Sequence, residues 1–215
     1  MAPTAFIVSF GIFSKSVLFT LLGGLVGGLV LAPFYAGLHD TVLRAMRDEP
    51  GYWWHIYKRA MKNNWKQSLV PGALIGALIS SILLAVSLAL QGTMQLTIVT
   101  GVCLVLSLLL ISMCAPYLWA QLVLMNLTLP QLLKNSLLFA LSNAPRSLLV
   151  AFIQILYWGV IIVLQPITSL WVLLFGFAFI VLITMMIVFP AMDKVLHIEE
   201  QLIARREAEE REFNS

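Results

Sequence analysis

Few residues in this sequence have types and spacings that do chemistry. His39 and Asp40 are adjacent, with Arg44 one helical turn further on. A carboxylate beside an imidazole is the elementary unit of acid–base catalysis, because it orients the ring and supports its protonated form. A solvated helix face accounts for the same residues better, since isolated charge groups are common on cytoplasmic faces. His55 stands alone, and His197 with Glu199 and Glu200 makes no stronger cluster. There is no phosphate-binding glycine loop, no G-x-S-x-G, no H-E-x-x-H and no cysteine pair at metal spacing. We therefore expect no catalytic residue, no metal and no cofactor.

One matched pair is more informative. Asn64, Lys66 and Ser68-Leu69 parallel Asn143, Arg146 and Ser147-Leu148. An amide beside a basic group can hold an anionic head group or a protein partner. Helix capping and snorkelling of the basic stems explain the same residues, and basic groups at span ends are the norm. Asn64, Lys66, Asn143 and Arg146 are the candidate binding residues, with the structural explanation preferred.

The elements that must position these residues are membrane spans. Of 215 residues, 60% are hydrophobic and 11% charged, against about 25% charged in soluble domains. The mean hydropathy is +0.95. Uncharged runs of spanning length cover Ser16–Tyr35, Leu69–Leu90, Leu96–Trp119, Ser147–Leu164 and Ser169–Ala191. The first run, preceded by Lys15, is read as a span and not as a cleaved signal, because a long apolar stretch precedes it and no small-residue cleavage site follows; residues 5–14 are apolar but too short to span, and an interfacial or re-entrant piece is expected there. The net charge is +3, but the basic residues sit beside apolar runs, which points to a membrane face and not to nucleic acid.

The connections alternate in charge. Residues 36–67 carry six basic side chains, while 91–95 and 165–168 carry none; 126–146 adds Lys134 and Arg146, and the chain beyond Ala191 is charged. The positive-inside rule then places the N-terminus outside and the C-terminus in the cytoplasm. Trp53, Trp54, Trp65, Tyr52, Trp119 and Trp171 fall at span ends, as an aromatic belt would. Cys103 and Cys114, about 16 Å apart along one helix, are too distant to bridge and are read as packing residues.

The chain also repeats itself. Ala32-Pro33-Phe34-Tyr35 and Ala115-Pro116-Tyr117-Leu118 end the first and third spans, at an offset of 83; Asn64 and Asn143 are offset by 79. Halves of about 16–90 and 96–164 each hold two spans, so they share one orientation, related by a pseudo-two-fold along the membrane normal. The fifth span, 169–191, stands outside the repeat. Within the first half, Trp53, Trp54, Tyr57, Met61 and Trp65 recur at helical spacing among Lys58, Arg59, Lys62 and Lys66. That pattern predicts a basic amphipathic helix lying along an anionic leaflet. Its counterpart opens at Thr128-Leu129-Pro130, with Thr128 as a cap.

Gly23, Gly24, Gly27 and Gly28 in the first span, and Gly72, Gly76 and Ser80 in the second, form small-residue stripes that permit close helix packing. No ionisable residue lies mid-span, which weighs against an ion-coupled transporter. The polar residues noted within spans are Ser107, Ser112 and Gln154, and the amide of Gln154 requires a partner helix. The tail, 192–215, has four basic and seven acidic residues; a helix continuing from Pro190, with a weak stripe of Leu196, Ile203 and Ala204, could dock another protein, and disorder of the last ten residues fits the composition equally well.

The run Ala32-Pro33-Phe34-Tyr35-Ala36-Gly37-Leu38, then Leu43-Arg44-Ala45-Met46-Arg47-Asp48-Glu49, then the aromatic-basic helix to Asn64, Lys66 and Gln67, resembles the YesL-like family of bacterial membrane proteins, a domain of unknown function. The run Leu132 to Leu148, with Asn143, Pro145 and Arg146, looks like that family's second block. The N-terminal fifteen residues depart from it. The resemblance implies a multi-pass bacterial inner-membrane protein, often encoded near genes for carbohydrate uptake and polysaccharide use, and it supplies no catalytic residue.

The expectation is an all-α membrane protein: a membrane domain (1–191) with five transmembrane helices, two cytoplasmic interfacial helices and a pseudo-two-fold repeat (about 16–90 and 96–164), followed by a charged cytoplasmic helical tail (192–215). The expected function is a non-enzymatic accessory or scaffold subunit associated with carbohydrate uptake or use, with anionic lipids and a membrane-protein partner or a further copy as its contacts. The alternative is a small transporter or channel along the pseudo-two-fold. A cavity lined by Gln154, Ser107 and Ser112 would favour it.

Overall fold

A computed structural model describes residues 16–200 apart from 48, 50, 96, 126, 165, 166 and 199. The interfacial piece expected over 5–14 and the tail from 201 onward lie outside these. Among the described residues every regular element is helical: α1 (Val17–Met46), α2 (Trp53–Leu90), α3 (Ile98–Leu124), α4 (Leu129–Ser142), α5 (Ala144–Val163), α6 (Ser169–Trp171), a π-helical stretch (Val172–Gly176) and α7 (Phe177–Leu196). Five of them are long and apolar enough to cross a membrane. Local chemistry sets their ends. Ser16 caps α1 by accepting from the Phe19 amide at 3.4 Å, and Thr97 caps α3 by accepting from Thr100 at 3.2 Å. At α4 the Gln131 side chain accepts from the Thr128 amide at 3.0 Å, half of a capping box.

α1 and α2 form an antiparallel hairpin along the glycine stripe. A Cβ on Gly24 would overlap Ser80, one on Gly28 the carbonyl of Gly72, and one on Gly76 the carbonyl of Gly24. Gly23 and Gly27 are buried beside them. Only backbone-sized residues allow this approach.

The first interfacial helix is not a separate element. Nothing between Trp53 and Gln67 breaks a helix, so the aromatic-basic segment is the start of a continuous 38-residue α2. It does leave the course of α1, however. From Gly28 to Gly37 α1 uses nine residues, while from Gly72 to Tyr57, their contacts on α2, α2 uses fifteen. At 1.5 Å per residue these are about 14 and about 22 Å, so the start of α2 runs oblique to α1. Pro71 sits inside α2 at this point; it lacks the N–H that would bond the carbonyl of Gln67, which permits the bend. In the second half the equivalent helix is separate. Asn143 leaves helical geometry (φ −112°, ψ 41°), and Pro145 lies in the first turn of α5.

The helix outside the repeat is the most enclosed. Val181, Met185, Val188 and Met192 of α7 are fully buried at alternating four- and three-residue spacing. They pack with Val42 and Leu43 of α1, Met113, Tyr117 and Ala120 of α3, Phe139 and Ala140 of α4, and Val150 and Ala151 of α5. This core lies towards one end of the bundle, where α1 and α7 finish and α2 begins, called here the charged end.

One aromatic expectation fails. Trp119 is not part of an interfacial belt: α3 continues to Leu124, and the indole is buried with Ala32, Ala36, Leu118, Leu122 and Leu132. Ser107 is exposed, and the Gln154 amide donates to the Ser112 carbonyl of α3 at 3.3 Å. The partner that Gln154 requires is thus within the chain.

Candidate functional site

The charged end of α1 gathers the ionisable side chains. The α-helical period places Asp40 and Arg44 on one face, and Arg44 Nε donates to Asp40 Oδ2 at 2.9 Å. Past Met46 the chain turns back, its Glu49 amide donating to the Arg44 carbonyl at 3.1 Å. Gly51 completes the turn at φ 148°, a region open to glycine and strained for other residues. The turn delivers the Glu49 carboxylate between two arginines, accepting from Arg44 at 2.8 Å and pairing with Arg47 at 2.8 Å. Arg47 also lies over the Phe189 ring at 5.9 Å, tying the end of α1 to α7. Two carboxylates and two guanidiniums balance. Burial strengthens such a network and makes each member costly to remove.

His39 takes no part in this chain of charges. Its Nδ1 donates to the Tyr35 carbonyl at 2.9 Å, and its ring stacks on Trp119 with centroids 5.9 Å apart. Tyr35 meets both rings edge-on, at 4.5 and 5.2 Å. His39 and Asp40 are therefore adjacent in sequence and directed to different partners. One is held in an aromatic cluster and the other in an ion pair, an arrangement that positions α1 against α3.

The four candidate binding residues divide. Asn64 Nδ2 donates to the Ala60 carbonyl at 3.0 Å, and Asn143 Nδ2 to Phe139 at 3.4 Å and to Ser142 Oγ at 3.1 Å. Each amide thus bonds its own helix one turn back. Lys66 and Arg146 are exposed, with Lys66 Nζ 5.6 Å from the Trp65 ring centre. The structure shows no hydrogen bond or ion pair between the two motifs. The buried members of the motif are its serines: Ser68 donates to Trp65, and Ser147 shares a 3.2 Å bond with the Tyr117 hydroxyl. The halves are joined instead by Gln67, whose amide donates to the Leu127 carbonyl at 2.9 Å.

Two polar groups escaped the sequence reading. Gln121 is fully buried on α3, and neither atom of its amide has a hydrogen-bond partner among the described residues. It lies two residues past the expected end of the third span, where a polar residue reads as a loop. At the opposite end of the bundle, Tyr157 donates to the Gly176 carbonyl at 2.9 Å and accepts from Trp171 Nε1 at 3.1 Å. That carbonyl closes the π-helical stretch, where the regular bonding ladder is displaced. Among the described residues no three His, Cys, Asp or Glu side chains gather to hold a metal.

The remaining feature is the exposed face of α2. Lys58, Arg59, Lys62 and Lys66 lie within one arc, flanked by Trp54 and Trp65, while Tyr57, Ala60, Asn64 and Gln67 face inward or partly so. Lys58 Nζ is 4.8 Å from the Trp54 ring centre.

These observations define a multi-pass α-helical membrane protein whose ionisable groups cluster at one end. Residues 16–87, the α1–α2 hairpin, match the model of a family described as a protein of unknown function, DUF624. No curated protein and no solved structure matches the chain.

Proposed function

We propose that the chain is a bacterial inner-membrane protein acting as a non-enzymatic accessory or scaffold subunit of a carbohydrate-uptake system. The observation that carries the non-enzymatic part is the commitment of His39, Asp40, Arg44 and Glu49 to one another and to neighbouring helices. Groups held this way brace a helix end and do not stand ready for a substrate. The association with carbohydrate use rests on the resemblance to the YesL-like family alone. In this reading the charged end is cytoplasmic, by the positive-inside rule. Anionic lipids meet the exposed Arg146 at the start of α5.

Gentle purification from native membranes, followed by mass spectrometry, tests the proposal. A stoichiometric transport subunit supports it. A homo-oligomer with no partner favours a second reading, a small transporter or channel. One observation speaks for that alternative: the Gln121 amide is the kind of buried donor–acceptor pair that a polar solute or water would satisfy. Flux into vesicles that is lost in Gln121→Leu would establish it.

A further inference from the structure

We propose that the exposed basic face of α2 is the docking surface for this chain's own acidic segment, residues 199–215. From Gly51 to Leu90 the chain holds four basic residues, Lys58, Arg59, Lys62 and Lys66, and no acidic one. All four are exposed, and none pairs with a carboxylate among the described residues. The carboxylates of Asp40 and Glu49 are already engaged by Arg44 and Arg47. Of the chain's ten acidic residues, six are the glutamates at 199, 200, 207, 209, 210 and 212, against three arginines in the same segment. The largest concentration of negative charge in the sequence is thus the electrostatic complement of its largest unpaired concentration of positive charge. The segment also carries Leu202, Ile203 and Phe213, which match the rings of Trp54 and Trp65.

Position makes the contact reachable. α7 ends at Leu196, and Ile198 is buried in the same core as Leu43, so the segment departs beside the end of α1. A single short turn separates that end from the start of α2. The basic face, Trp54 to Lys66, is about 18 Å long. Fifteen residues beyond Glu200 reach up to about 50 Å when extended. Tethering at this range gives an effective concentration near millimolar, which favours the attached segment over a free acidic peptide.

The test uses the full chain with Cys103→Ala and Cys114→Ala. Lys62→Cys and Glu209→Cys are introduced together, and a short bifunctional maleimide is applied to the protein in native membranes. The expected result is a cross-link within one chain, reduced at molar salt. Separately, truncation after Glu200 should raise the labelling rate of Lys62→Cys several-fold. Glu207→Lys, Glu209→Lys and Glu210→Lys together should do the same in a chain of full length, should truncation impair folding. Unchanged labelling without a cross-link overturns the proposal, as does a cross-link only between two copies. Labelling that follows the phosphatidylglycerol content of reconstituted vesicles, equally with and without the segment, would assign the face to lipid instead.

Discussion

Gly28 of α1 meets the carbonyl of Gly72 on α2 so closely that a methyl group on Gly28 would overlap it. The two backbones are in contact, and the stripe on which they lie is consumed inside the chain. Substitution there should separate the hairpin. Gly28→Ala and Gly72→Ala are each expected to cost about 1–3 kcal/mol, the range for overpacking a tight interface. Gly159, on α5, meets nothing within 4 Å of an added Cβ. Gly159→Ala should be neutral or gain up to about 1 kcal/mol of helix propensity. Thermal unfolding of the three variants in one detergent checks the contrast, and equal effects would contradict the packing.

Trp119 and Trp65 offer a second contrast. Both end or flank a span in the sequence, but Trp119 is 4% exposed and Trp65 is 47% exposed. Trp119→Ala should cost about 3–5 kcal/mol, as for large aromatic deletions in cores. Trp65→Ala should change stability by less than about 1 kcal/mol. The same unfolding measurement decides it.

The arginines at the charged end differ in burial and should differ in consequence. The Arg47 and Glu49 side chains are 9% and 7% exposed, whereas Arg44 is 41% exposed. Glu49→Gln removes the carboxylate from a buried ion pair with Arg47 and is expected to cost about 3–5 kcal/mol. Water reaches Arg44, and Arg44→Lys keeps a cation beside the buried Asp40, so that variant should cost no more than about 1 kcal/mol. Denaturant titration of each variant reads the difference, and a larger loss in Arg44→Lys than in Glu49→Gln would reverse the assignment.

Orientation is open to chemical labelling. With the native cysteines removed, Thr93→Cys is expected to react with a membrane-impermeant maleimide applied to intact cells. Asp48→Cys should react only after permeabilisation. The opposite pattern would place the charged end outside and overturn the positive-inside assignment.

Local and compositional features were legible without coordinates. A bilayer requires about 20 apolar residues per helical crossing, so the number and approximate limits of the spans follow from hydropathy, and five helices of that kind are present. Thr128 with Gln131 marks the start of α4 because capping involves neighbouring residues only. The glycine stripes were visible as periodicity, whereas His39 and Asp40, expected on a solvated helix face, are buried, with Asp40 paired to Arg44.

Tertiary structure decided what each residue faces. Hydropathy has the same value whether lipid or another helix covers a side chain, so it assigned Trp119 to the membrane surface and left α7 as an appendage. In the folded chain Trp119 is enclosed with His39, and α7 is the helix around which α1, α3, α4 and α5 close. The partner of Gln154 lies 42 positions away, and the course of α2 is set by the contacts of Tyr57 and Gly72 with Gly37 and Gly28 of α1, 20 and 44 positions away. Contacts of that range arise only when the spans assemble, because each span is stable as a helix in lipid before its neighbours are chosen.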